Sequence, residues 1–173
     1  MSTTRRTVLA AALPTLALAE TPRSATSDDI LAPLLDSATQ AHAALMQGDL
    51  DRYFSHIRIS PDFTLMAPFG GPPTHGSLLS PERWKAIGRF FNSGRDSTLE
   101  LVQAYPSTDL VVLVAIERTV AEVGGLTAQP WALRVTLVFR REGGHWALAH
   151  RHADPLVTAI SLEKAAALSA GRA

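Results

Sequence analysis

His150 and His152 stand two residues apart in a segment, 145–154, whose pattern reads as a strand, with Asp154 two positions further on. Alternate strand residues point to one face, so Trp146, Leu148, His150, His152 and Asp154 are expected together. Imidazole gains and loses a proton near neutral pH and also binds polar ligand atoms. The set therefore predicts a polar wall, with His150 as a candidate general base. The same spacing suits two ligands of a metal site, whose third ligand would have to be Asp154, Glu117 or His75. The alternative is a histidine satisfied within the core and an Asp154 that ends the strand before Pro155.

Glu117 is the second candidate base. It falls in segment 110–122, which is apolar on both faces until Glu117-Arg118, and it alternates with Val111, Leu113 and Ala115. Were that set to line a cavity, burial would raise the carboxyl pKa into a useful range. Arg134, in the next segment, lies opposite the apolar set Leu133, Val135, Leu137 and Phe139. Its permanent charge makes it a candidate anchor for an anion or carbonyl, or else the ion-pair partner of Glu117 across a sheet. Met66, Phe69, Trp84, Phe90 and Trp131 are expected in the core or as apolar wall. His42 and His56 are expected as hydrogen-bonded buried histidines, and Arg140-Arg141 as a solvated edge.

Other chemistries are excluded by what the chain lacks. There is no cysteine among the 173 residues, and sixteen bases balance sixteen acids. Disulfides, thiolate nucleophiles and iron–sulfur clusters are therefore out, and no overall field favours nucleic acid. No glycine-rich phosphate loop, Gly-x-Ser-x-Gly or His-Glu-x-x-His occurs, and nothing calls for a cofactor.

The elements that must position these groups can be read from periodicity and punctuation. Leu31, Leu34, Leu35, Ala38, Ala41, His42 and Leu45 recur at helical spacing, and Pro33 places the start of the regular helix near itself. Gly48 ends that helix and Asp49 caps a second, short one through Phe54. Ser80-Pro81-Glu82 opens a third, stopping near Asn92-Ser93-Gly94. Strands are expected over 62–67, around His75, and over 98–105, 110–122, 131–141 and 145–154. Turns at Pro106-Ser107-Thr108, Gly124-Gly125 and Gly143-Gly144 make the last four a meander. The result is an α+β domain over 28–160, a strongly curved antiparallel sheet wrapped by three helices around a conical cavity. A C-terminal helix or tail covers 161–173.

With these elements the sequence resembles the nuclear transport factor 2-like superfamily, which includes ketosteroid isomerases, scytalone dehydratase and SnoaL-like cyclases. The residues that carry the likeness are Leu133-Arg134-Val135-Thr136, Arg140-Arg141-Glu142-Gly143-Gly144-His145-Trp146 and His150-Arg151-His152-Ala153-Asp154-Pro155, with Gly48-Asp49-Leu50-Asp51 and 64–71 fitting the same SnoaL-like branch. Ketosteroid isomerases place carboxylates and a tyrosine in the corresponding cavity; no matching aspartate dyad occurs here, and no role is carried to Tyr53. The resemblance implies a cavity that binds a small, partly apolar molecule. Arg134, His150 and His152 would give polar contacts, and Trp84, Met66 and Phe69 apolar ones. The alternatives are a proton-transfer enzyme (isomerase, dehydratase or cyclase) using His150 or Glu117, and a dimeric association module without ligand. A homodimer is expected because one helical layer covers only one side of a sheet whose strand 110–116 is apolar on both.

Residues 1–19 read as an export signal: Arg5-Arg6, an apolar run over 8–18, and Ala17-Leu18-Ala19. The run is too short to span a bilayer, which needs roughly 20 apolar residues. The paired arginines directly before it favour the twin-arginine route, with residues 20–27 as a leader. The expected location is the bacterial periplasm or outside, without stable membrane insertion.

Overall fold

A computed structural model describes residues 27–172. The expected export signal and nearly all of the leader lie outside the described residues. Four helices and six strands follow in the order α1 (Ser27–Met46), α2 (Leu50–His56), β1 (Ile59–Met66), β2 (Thr74–His75), α3 (Pro81–Phe90), β3 (Phe91–Pro106), β4 (Leu110–Val123), β5 (Leu126–Glu142), β6 (His145–Pro155) and α4 (Leu162–Ser169). The strands form one curved, open sheet in the order β2-β1-β6-β5-β4-β3. Consecutive strands from β3 to β6 pair antiparallel, as the turns require; β1 is the exception, running parallel to β6.

Local chemistry sets the helix boundaries. Helix α1 presents Leu34, Ala38, Ala41 and Ala44 to the core, each buried. It begins at Ser27, six residues before Pro33. A proline inside a helix forfeits one hydrogen bond, but Ile30 and Leu31 pack against the core and hold the first turns in place. Asp49 accepts a hydrogen bond from the Arg52 amide at 3.0 Å and caps α2, which continues to His56. Ser80 caps α3 through the Arg83 amide, with Pro81 in the first turn. Gly48 has φ +75°, and a Cβ there would meet the Gly88 carbonyl oxygen at 2.6 Å. Only glycine lets the α1–α2 corner sit this close to α3.

Three strands outrun their sequence signals. Strand β3 starts at Phe91, directly after α3, because Asn92-Ser93-Gly94 is taken into the sheet through bulges, with Ser93 and Asp96 at positive φ. Strand β5 starts at Leu126 and carries Pro130 opposite Val120. Proline is tolerated there because β6 pairs with β5 only from Leu133 onward, so the amide edge at Pro130 needs no partner. Strand β1 starts at Ile59, where Ser60 is tied to Asp62, Glu142 and Arg140. Arg140 is thus a clasp between β5 and β1, and not a solvated edge.

The core lies between the inner face of the sheet and the helices. Val111, Leu113 and Ala115 of β4 and Leu133, Val135, Leu137 and Phe139 of β5 supply its floor. The two apolar sets expected on these strands therefore both face inward.

Candidate functional site

Strand β6 decides which side chains reach the core. Phe139 faces Leu148 and Val138 faces His150, which leaves Ala149 as an extra residue, a bulge. A bulge inverts the inside–outside alternation of everything beyond it. Before it, Leu148 points inward and is buried; after it, Arg151 and Ala153 point inward, opposite Leu137 and Val135. His150, His152 and Asp154 consequently lie on the outer face, and the expected grouping with Leu148 is split.

On the inner face Arg151 meets Glu117 in a fork. The two guanidinium nitrogens donate to the two carboxylate oxygens at 2.7 and 2.6 Å. Glu117 is only 3% exposed. His42 of α1 adds its Nδ1 3.4 Å from Glu117 Oε2, while its Nε2 lies 3.4 Å from the Arg118 carbonyl oxygen. Burial raises the Glu117 pKa, but the charges of Arg151 and His42 and the hydrogen bonds from Arg151 outweigh it and hold the carboxyl at about 2. This corrects the expectation of a raised pKa. Glu117 faces inward with Val111, Leu113 and Ala115, the set it alternates with, but it is a weak base bound at both oxygens. Its partner is Arg151, whereas Arg134 pairs with Asp154 on the outside.

Above Arg151 opens a cavity of about 410 Å³ between α2, α3, the β1–β2 segment and the sheet. Its walls include Trp84, Phe69, Phe63, Phe90, Leu65 and Leu133. Trp84 packs edge-on to Phe54 and tilted to Tyr53, and Phe69 packs against Phe90 and Trp131. The polar groups on the wall are Arg151, Tyr53, Thr74 and Arg83. Tyr53 is buried near the Arg151–Glu117 pair, and burial pushes its phenol up to about 12, against the lowering pull of Arg151. It stays a neutral donor at any ordinary pH. Arg151 uses two of its five N–H donors on Glu117. Two donors, one charged and one neutral, are therefore available where the cavity meets the sheet. Among the described residues lining this cavity there is no histidine, aspartate or glutamate.

The expected site residues divide between the faces. Trp84 and Phe69 line the cavity; Met66 does not, being 42% exposed beside His152 in the β1–β6 register. Arg134 donates to Asp154 from Nε at 2.7 Å, with a second contact from its terminal nitrogen. His150 Nδ1 lies 2.7 Å from the Thr64 hydroxyl. His150, His152 and Arg134 do share a face, but it is the one turned away from the cavity. Among the described residues no three histidine, aspartate or glutamate side chains gather as a metal site.

Arg151, Tyr53 and Arg83 are the cavity groups that sequence reasoning missed. A signal for Arg151 was present. Glu117 in a strand apolar on both faces requires a buried cation, and Arg151 is flanked by small residues, Ala149 and Ala153.

The model of the SnoaL-like domain matches residues 35–158. No curated protein matches the sequence. Among solved structures, a dehydratase candidate of the nuclear transport factor 2-like family from Streptomyces avermitilis superposes with a TM-score of 0.62 at 19% identity, covering 77% of this chain and all of that one. A ketosteroid isomerase candidate from Shewanella frigidimarina gives 0.56 at 18% identity, covering 71% of this chain and 95% of that one. A candidate calcium/calmodulin-dependent protein kinase type II association domain from Thiobacillus denitrificans gives 0.52 at 21% identity, covering 70% and 93%. At these identities the likeness establishes the fold alone. With its matched domain spanning most of the chain and its curved sheet shared with these structures, the protein belongs to the SnoaL-like domain family and has the nuclear transport factor 2-like fold.

Proposed function

We propose that this domain binds a small, largely apolar molecule in the cavity, with a hydrogen-bond acceptor of that molecule against Arg151 and Tyr53. The observation that carries this reading is an aromatic-walled space of about 410 Å³ with two donors where it meets the sheet. Ligand sites are commonly apolar concavities of ~300–1,000 Å³ with a few placed polar groups. A proton-transfer enzyme, such as the dehydratase or ketosteroid isomerase for which two of the similar structures are candidates, would use the same donors to stabilise a developing oxyanion. It would also need a base within reach of the substrate. Glu117 has both oxygens bound and is not part of the lining, which offers no carboxylate or imidazole among the described residues, so binding without turnover is the better-supported reading.

The reading extends to export through residues 1–19 and to a homodimer paired through the outer sheet face. Val112, Val114, Ile116 and Val138 there form a half-buried apolar patch. Changing Arg5 and Arg6 to lysine should retain precursor in the cytoplasm; unaltered export would remove the twin-arginine route. Sedimentation should give twice the chain mass at micromolar concentration; a monomer at high micromolar concentration would remove the dimer.

The binding test uses N-phenyl-1-naphthylamine, a neutral apolar fluorophore. It should bind with one site per chain and brighten on binding. Ala86→Trp, which fills the cavity from exposed α3, should abolish the signal while the melting temperature holds. No saturable binding by the wild-type protein would overturn the reading.

A further inference from the structure

The cations of α3 are not equivalent. Lys85 and Arg89 lie around a surface cleft between α2 and α3 that also holds Asp49 and Asp51. Arg83 lies on the other side, at the cavity. Its side chain is exposed and has no hydrogen-bond or ion-pair partner among the described residues, and no acid lines the cavity beside it. The exposed lining residues Arg83, Ala86, Phe69 and Phe90 mark the mouth. The mouth therefore carries an unmatched positive charge framed by aromatic rings. The other arginine of the cavity differs, because Glu117 already neutralises it.

We infer that the ligand is an apolar, ring-bearing molecule with one acidic group, held with its acid at Arg83 in the mouth and its body inside. The inference rests on the cavity being a binding site and adds the chemical class of its occupant. The physics favours this orientation over the reverse. A carboxylate pushed in to Arg151 would lose its hydration and meet a cation whose charge Glu117 already balances. At the mouth an acid keeps part of its water and gains a partner that otherwise has none. Water and physiological salt weaken such a contact but do not cancel it. An uncharged acceptor, such as a carbonyl or ether oxygen, suits the inner end, where Arg151 and Tyr53 both donate.

A matched pair of probes separates the acid from the cavity. 1-Anilinonaphthalene-8-sulfonate and N-phenyl-1-naphthylamine share one skeleton and differ by the sulfonate. Both should bind the wild-type protein, and both should be displaced by Ala86→Trp. Arg83→Gln should weaken the sulfonate about fivefold and leave the neutral probe unchanged, Arg83→Lys should restore most of the loss, and 1 M salt should erase the difference. Binding of both probes with no response to Arg83→Gln would overturn the acidic-ligand inference and leave the cavity reading standing. Binding of neither probe, or binding that Ala86→Trp does not touch, would overturn the cavity reading and the inference with it.

Discussion

The two faces of the sheet carry the same kind of contact in two settings. On the inner face Arg151 grips Glu117, with side chains 18% and 3% exposed. On the outer face, between the neighbouring strands β5 and β6, Arg134 grips Asp154, with side chains 61% and 37% exposed. Geometry separates them only in part, since both are close charge-assisted contacts, the inner on two carboxylate oxygens and the outer on one. Solvent does. The inner pair has given up its hydration and is held by mutual compensation, so each partner is indispensable to the other. The outer pair keeps its water, and its attraction is largely screened. Charge pairing alone therefore says little about importance; burial of the pair says most.

The largest expected effect breaks the inner pair. Glu117→Ala leaves the Arg151 guanidinium nearly buried without its counter-charge, a loss of about 3–5 kcal/mol of unfolding free energy. Arg134→Ala should cost no more than about 1 kcal/mol. Urea denaturation of both variants measures the contrast directly. The double change Glu117→Leu with Arg151→Met should recover much of the single-variant loss, because two apolar side chains need no compensation. Equal losses at Glu117 and Arg134 would mean that burial does not distinguish the faces.

The same pair sets an acid limit on stability. In the folded chain Glu117 titrates at about 2, below its ordinary 4.5. Between those values the unfolded chain binds more protons than the native one, so stability falls as pH falls. The contribution is complete above about 4.5 and is lost as pH drops through about 2, on the order of 3 kcal/mol in all. Glu117→Gln should remove this part of the pH dependence. Asp62 and Glu142, both held below the usual range by hydrogen bonds that include Arg140, add to the slope of the wild-type protein and persist in the variant. An unchanged slope in Glu117→Gln would assign the acid sensitivity to that outer clasp instead.

A smaller effect is expected at His150. Its hydrogen bond to Thr64 lies on the outer face, so His150→Ala should cost about 1 kcal/mol and leave N-phenyl-1-naphthylamine binding as it was. Weakened binding would show that the outer face communicates with the cavity. If the outer faces pair in a dimer, the melting temperature of the wild-type protein and of His150→Ala alike should fall on dilution.

How much of this was legible in the sequence follows from what each signal depends on. The meander was legible because Gly124-Gly125 and Gly143-Gly144 state their turns locally, and the glycines indeed take positive φ. The caps at Asp49 and Ser80 were legible for the same reason. That Glu117 shares a face with Val111, Leu113 and Ala115 was legible because β4 runs opposite β5 without a slip from Leu110 to Ala121; that this face is the inner one was not. The cavity end of the site was not. One unpaired alanine, Ala149, turns Arg151 inward and His150 and His152 outward, and nothing in its residue type announces a bulge. The periodicity was sound on either side of it; only its phase was lost. Tyr53 and Arg83 were hidden for a different reason, since they reach the cavity from helices whose placement over the sheet is tertiary.

The smallest expected effect sharpens the contrast within the inner face itself. Trp131 lies two residues from Leu133, which lines the cavity, and packs against Phe69 with ring centroids 5.9 Å apart. Its indole N–H is buried and has no hydrogen-bond partner among the described residues. Here the inner face carries a polar group without the compensation that Glu117 and Arg151 give each other. An unpaired buried donor costs roughly 1–3 kcal/mol, and Trp131→Phe would remove that cost. The smaller ring also gives up apolar contact with Phe69, at about 25 cal/mol per Å² of burial lost. The two terms oppose, so the net change should stay within about 1 kcal/mol in either direction, far below the loss at Glu117. A loss above roughly 2 kcal/mol would show that the N–H has a partner in solution. If neutral-probe binding also weakened, the cavity would extend behind Phe69 to Trp131.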